Sequence, residues 1–133
     1  MLPRLLLDTH IVVRWLIDAK KLSREQARVL GAAVRHAEPL ALSAITLLEI
    51  AVLASQGKLE LKITIEGFFD HLQAGRVFQI VPLTYEVAAE VTSLGGLRDP
   101  ADRAIVATAR VQRLKLVTSD QRIIESKLVP VVV

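Results

Sequence analysis

PRLLLDTHIVVRWLI, residues 3–17, changes its apolar period once, and that change decides the fold. Pro3 to Leu7 is a short apolar run. It reads as a strand buried on both faces and ending at Asp8. Thr9 to Ile17 follows without a linker and reads as a helix. A doubly buried strand feeding straight into a helix belongs to a parallel sheet covered on both sides.

The same unit recurs outward along the chain. Ser23 to Ala37 reads as an amphipathic helix, opened by Ser23 three residues before Gln26 and stopped by Pro39. Leu40 to Leu42 is a second strand. Ser43 then caps an apolar helix running to about Gln56, with Gly57 just past its end. Thr64 to Ala74 is a helix ended by Gly75, and Val77 to Val81 is a β-branched strand. Thr84 to Leu94 carries a helical period and precedes the Gly95-Gly96 pair. Helix Pro100–Arg113, strand Lys115–Thr118, helix Ser119–Ser126 and strand Val129–Val133 complete the chain. The fold class is α/β, a three-layer sandwich with about five parallel strands.

Composition agrees. A length of 133 residues suits one domain. With 52% apolar and 23% charged residues the chain buries a real core and is not disordered. At 4% aromatic, that core is aliphatic. Cysteine is absent, which excludes a disulfide framework, thiolate metal sites and a cysteine nucleophile, and fits a reducing compartment. No segment reads as a membrane span: the stretch from Leu40 to Gly57 is interrupted by Glu49 and carries Ser43, Thr46, Ser55 and Gln56. The N-terminus lacks the pattern of a signal peptide, so the cytoplasm is the expected compartment.

In a parallel sheet, sites form beyond the carboxyl ends of the strands, where the strand order reverses. The first strand ends at Asp8. The second feeds the helix carrying Glu49. Strand Lys115–Thr118 runs through Ser119 into Asp120, and Arg98-Asp99-Pro100 opens the helix carrying Asp102. Four elements thus deliver a carboxylate to one end of the sheet. Glu49 is the most informative, as the only charged side chain between Leu40 and Gly57, among apolar helix neighbours Ile45, Val52 and Leu53. Burying a carboxylate costs several kcal/mol unless it is paired or binds a metal. Each acid also has a structural alternative. Asp8 and Asp120 suit helix caps, Asp99-Pro100-Ala101-Asp102 is an ideal helix start, and Glu49 suits a salt bridge to an arginine. His10, His36 and His71 lack metal-ligand spacing, and no phosphate loop or nucleophile elbow is present.

Gathered carboxylates cannot all ionise in a dry pocket. Two of them 4 Å apart repel by roughly 4 kcal/mol at an effective dielectric of about 20. Either their proton affinities rise or a divalent cation neutralises them. An all-oxygen set without cysteine or clustered histidine favours Mg²⁺ or Mn²⁺. The overall charge is +3, from 17 Lys and Arg against 14 Asp and Glu. Setting aside Asp8, Glu49, Asp99, Asp102 and Asp120 leaves 9 acids against 17 bases, so the remainder carries +8. A basic body around an acidic pocket suits a nucleic-acid phosphodiester. The low aromatic content argues against a stacking platform for single strands.

The segments LLLDTHIVVRWL, LSAITLLEIAVLASQGKLEL and RDPADRAIVATARVQRLKLVTSD follow the order and spacing of a PIN domain. They resemble VapC-type toxins of bacterial type II toxin–antitoxin systems over essentially the whole chain. The resemblance implies a sheet of order 3-2-1-4-5 and a metal-dependent endoribonuclease. It implies that Asp8, Glu49, Asp102 and Asp120 are the catalytic, metal-holding acids. Asp99 is then an additional acid that ligates through water or only caps. Thr9, Arg103 and Thr118 match neighbouring positions that orient the acids or pair with them. The expected chemistry is in-line attack of a metal-bound water on RNA, leaving 5′-phosphate and 3′-hydroxyl ends. A homodimer and a cognate antitoxin, often DNA-binding, are implied partners. The alternatives are a non-catalytic RNA- or protein-binding module and a DNA-acting phosphodiesterase on the same fold.

Overall fold

The computed structural model describes residues 1–133. Five strands, β1 (Leu5–Leu7), β2 (Leu40–Ser43), β3 (Phe78–Val81), β4 (Lys115–Val117) and β5 (Val131–Val132), form one sheet. All pairs are parallel and the order is β3-β2-β1-β4-β5, as the resemblance implies. Seven α-helices surround it: α1 (Thr9–Ile17), α2 (Arg24–Arg35), α3 (Ala44–Ser55), α4 (Ile65–Ala74), α5 (Tyr85–Val91), α6 (Pro100–Gln112) and α7 (Gln121–Ser126).

Strand alternation divides the core into two layers. Leu6, Ala41 and Leu116 face a cluster that includes Val87, Ile105 and Ile123 from α5, α6 and α7. Leu7, Leu42 and Val117 face the other side, packing with Ile11, Leu30 and Phe68 from α1, α2 and α4. Each fully buried Leu, Ile or Val side chain among them contributes about 1.5–3 kcal/mol. Helix α3 joins both layers, because Ile45 packs on the first cluster and Ile50 lies in the second. That position turns the middle of α3, with Glu49, toward α1 and α6.

Helix starts follow the sequence signals. Ser23 and Gln26 form the full capping box, and Ser43, Thr64 and Thr84 accept hydrogen bonds from the first turns of α3, α4 and α5. Helix ends follow them less well. Gly57 takes φ +70 beyond α3, as a glycine there allows, but Ala37 and Arg113 adopt φ +53 and +57 without being glycine. Helix α2 therefore stops at Arg35, before the expected Ala37. Helix α5 ends at Val91, and buried Leu94 and Leu97 close turns instead of extending it. Strand β5 shrinks to two residues because Pro130 has no N–H to give a ladder. Strand β1 starts at Leu5, although the Arg4 carbonyl already accepts from Lys115 N. A 3₁₀ turn at Ala19–Lys21 has no counterpart in the sequence reading.

Candidate active site

The connection order reverses between β1 and β4, and the acids converge there. Asp8 follows β1 directly and its N–H still bonds the Val117 carbonyl, so strand pairing holds its backbone. Its buried carboxylate accepts from Thr9 N at 2.8 Å and from Thr118 Oγ1 at 2.8 Å. The Thr118 hydroxyl also accepts from Asp120 N at 3.0 Å. One threonine therefore joins the acid after β1 to the acid after β4.

Glu49 reaches the same place from α3. The Thr9 hydroxyl donates to Glu49 Oε1 at 2.5 Å and lies 3.0 Å from Thr46 Oγ1. Glu49 is half-buried and forms no ion pair with an arginine, unlike the salt-bridge alternative. Asp8, Glu49 and Asp102 line one cavity of about 350 Å³, whose other walls include Arg14, Lys21 and Lys58. A larger cavity, of about 730 Å³, opens at the far end of the sheet. Its acids are Glu25, already paired with Arg28, and Glu38, so it offers no comparable cluster of acids.

The acids feel one another. Burial raises the proton affinity of Asp102, the charges of Asp99, Asp8 and Asp120 raise it further, and its pKa is pushed up to about 6. Burial also raises Glu49, opposed by the Thr9 hydroxyl and reinforced by Asp8 and Asp99. Asp99 and Asp120 thus belong to the same electrostatic cluster without lining the cavity. Both also cap helices, accepting from Ala101 N at 2.8 Å and from Arg122 N at 2.9 Å. Asp8 caps α1, so three of the five acids do the structural job as well.

Thr9 and Thr118 hydrogen-bond to the acids Asp8 and Glu49. Arg103 does not: its Nε donates to the Leu97 carbonyl and ties down the loop entering α6, with no ion pair to an acid. That reach back of six residues is a local closure, and it spends the guanidinium on the backbone.

Three residues enter the site that the sequence reading did not place there. Arg122 Nη2 lies 3.5 Å from Asp120 and 3.9 Å from Asp102, and the Asp120 hydrogen bond raises its pKa. A cation in the first turn of a helix opposes the dipole, and that anomaly was the available signal. The ring nitrogen Nε2 of His10 accepts from Ser119 N at 2.8 Å, while Nδ1 sits 3.6 Å from Asp8. Burial lowers the pKa of His10 against the attraction of Asp8. Its place in the first turn after Asp8 was the only hint. Gln26, fully buried, donates to the Thr118 carbonyl at 3.3 Å and to Ser119 Oγ at 2.9 Å, beyond its capping role.

The acids offer only carboxylate oxygens, the donor type a hard divalent cation takes, and Arg122 compensates only part of their charge. In the arrangement seen, no three of these side chains converge tightly enough to hold an ion. The physical reason is that each has its own partner. Asp8 is held by Thr9 and Thr118, Glu49 by Thr9, and Asp102 and Asp120 lean to Arg122. A cation entering this cluster would meet the carboxylates of Asp8, Glu49, Asp102 and Asp120.

Residues 5–127 match the PIN domain family. The chain belongs to the PIN-domain family. Within that family it is similar to Ribonuclease VapC22 of Mycobacterium tuberculosis, with 35% identity over 120 residues, 89% of this chain and 88% of that protein. Among solved structures, a toxin–antitoxin complex from Klebsiella pneumoniae has 26% identity and a TM-score of 0.64, covering 96% of this chain and 95% of that one. VapBC2 from Rickettsia felis, bound to a promoter DNA fragment, superposes with a TM-score of 0.71 at 16% identity, covering 96% of each chain, a likeness of fold. No helix of this PIN domain is long and apolar enough to cross a membrane.

Proposed function

We propose that this chain is a Mg²⁺- or Mn²⁺-dependent endoribonuclease, the toxin of a type II toxin–antitoxin pair. The observation that carries the reading is the single cavity lined by Asp8, Glu49 and Asp102 at the switch point of the sheet. The similarity to a VapC ribonuclease supports RNA as the substrate.

When bound, the ion supplies positive charge against the phosphoryl oxygens and lowers the pKa of a water ligand. The chain's own residues do the rest. Thr118 and Thr9 fix the Asp8 carboxylate by two hydrogen bonds. Thr9 also aims Glu49 into the cavity. Asp102 and Asp120 add charge from the opposite helices, and Arg122 balances part of it. Asp99 raises the proton affinity of Asp102 and Glu49 while capping α6. The products are 5′-phosphate and 3′-hydroxyl ends.

The chain acts in this reading as one catalytic domain, in the cytoplasm, as a homodimer with an antitoxin partner. The toxin–antitoxin complexes of similar fold support the partner. The deciding experiment incubates the purified chain with a labelled single-stranded RNA and its matched DNA, with Mg²⁺, Mn²⁺ or EDTA. Cleavage of RNA only, dependent on the metal and lost in Asp8→Asn, is the expected result. RNA binding without new ends in Mn²⁺ would support the non-catalytic module, which the capping roles of Asp8, Asp99 and Asp120 favour. Cleavage of DNA alone would support the DNA-acting alternative.

A further inference from the structure

The cavity that holds the carboxylates has a second, opposite character. Arg14 from α1, Lys21 from the 3₁₀ turn and Lys58 from the turn after α3 line it together with Asp8, Glu49 and Asp102. The helices order these groups along a groove. Arg14 is six residues beyond Asp8, or about 9 Å along the axis of α1. Lys58 follows the end of α3, well beyond Glu49. Val13 and Leu53, also on the lining, lie between the acidic and basic ends of their helices.

These cations are close to three carboxylates and yet do not collapse onto them. Neither Arg14 nor Lys58 forms an ion pair, and Lys21 has only a 3.9 Å contact with exposed Asp18. The arginine that does reach the acids, Arg122, comes from the other side of the cluster. The cavity therefore carries carboxylates together with cations placed toward the ends of α1 and α3, and Arg14 and Lys58 are left without an acidic partner.

We infer that Arg14, Lys21 and Lys58 form a phosphate-binding wall that holds the RNA backbone beside the bond positioned at the carboxylates. The inference rests on the ribonuclease reading and names the residues that seat its substrate. The wall contacts phosphate oxygens and no base edge, so it contributes affinity without sequence preference. A cation at the C-terminal end of a helix also favours the dipole, which is the structural alternative for Arg14 and Lys58. The two roles part in the readout, since a dipole role moves stability and a phosphate role moves affinity and its salt dependence.

The test is single-turnover cleavage of a fluorescein-labelled single-stranded RNA in Mg²⁺, with the protein in excess, over a KCl series. The double variant Arg14→Gln/Lys58→Gln is compared with the parent and with Arg35→Gln/Arg76→Gln, which removes two charges at the amino end of the sheet. The half-saturating protein concentration is expected to rise by about five-fold or more. Its logarithmic salt slope is expected to shrink by about 1.4, two charges at about 0.7 each for a single strand. The maximal rate should stay within about two-fold, and the loss should be the same on RNAs of unrelated sequence. An unchanged slope, or an equal change in the control pair, overturns the wall. If the parent leaves RNA intact in Mg²⁺ and Mn²⁺, the hydrolytic reading falls by itself. Anisotropy of the same labelled RNA then decides the wall by the same slope difference.

Discussion

Replacing Asp102 by asparagine should make the metal-free protein more stable while removing its activity. Burial and the charges of Asp99, Asp8 and Asp120 lift its pKa from 3.8 to about 6. The folded state therefore holds the proton more tightly than the unfolded chain does. Its contribution to stability is present below the unfolded pKa and is lost as pH rises through about 6. Above about pH 7 the ionised carboxylate carries the whole penalty. Two pKa units correspond to roughly 3 kcal/mol, and solvent screening around the partly buried side chain and Arg122 reduces this to about 1–2 kcal/mol. The Asp102→Asn substitution removes that penalty with almost no change of shape. In EDTA at pH 8, thermal unfolding of Asp102→Asn should occur about 4–8 °C above the parent. At pH 3, below the unfolded pKa, the two should nearly coincide, because the parent carboxyl is then protonated in both states. A variant that is less stable than the parent at pH 8, or offset equally at both pH values, would refute the electrostatic account.

Thr118→Val removes the hydroxyl that donates to Asp8 and accepts from Asp120 N. It should cost about 1–3 kcal/mol in urea unfolding and raise the Mn²⁺ concentration needed for half-maximal cleavage. Gln26→Ala should cost about 2–3 kcal/mol, from lost packing and unpaired groups at Ser23 and Thr118–Ser119, again read by urea midpoint. Gly57→Ala meets no neighbouring atom and acts only through φ +70, so it should lose about 1 kcal/mol with unchanged cleavage. Asp99→Asn keeps a good cap for α6 but removes a charge that raises Asp102, so the pH at which Asp102 titrates should fall by NMR while stability holds.

The fold was legible because its strands are buried on both faces and short. Leu5–Leu7, Leu40–Leu42 and Lys115–Val117 leave little choice but a covered parallel sheet. Their lateral order was not written in any period, and came only with the resemblance. Helix ends without glycine were unreadable, since nothing in Ala37 or Arg113 announces a left-handed backbone. Helix α3 showed that it was apolar all round but not how it would sit. Leu48 and Val52 remain exposed, because the helix touches two core layers rather than being enclosed by one. The convergence of Asp8, Glu49 and Asp102 was legible through topology. His10 and Gln26 were not, because their Thr118–Ser119 partners arrive from across the sheet, and Arg122 showed only as a cation in the first turn of α7.

Capping and chemistry coincide here for a physical reason. In a strand–helix unit the cap residue stands just beyond the carboxyl end of the strand, where a parallel sheet gathers its site. Asp8, Asp99 and Asp120 each sit at the positive end of a helix dipole, and that placement offsets part of the cost of their charge. Glu49 has no such support. It lies in the middle of α3, far from a helix start, and burial raises its proton affinity while Asp8 and Asp99 add to it. Asp102, in the first turn but not at the cap, shows the same stress more strongly. The acids that helix starts can explain are therefore the weaker witnesses. The two whose ionised forms are disfavoured are Glu49 and Asp102, with Thr9 and Arg122 as their nearest polar partners, and a bound proton or an added cation would relieve either of them.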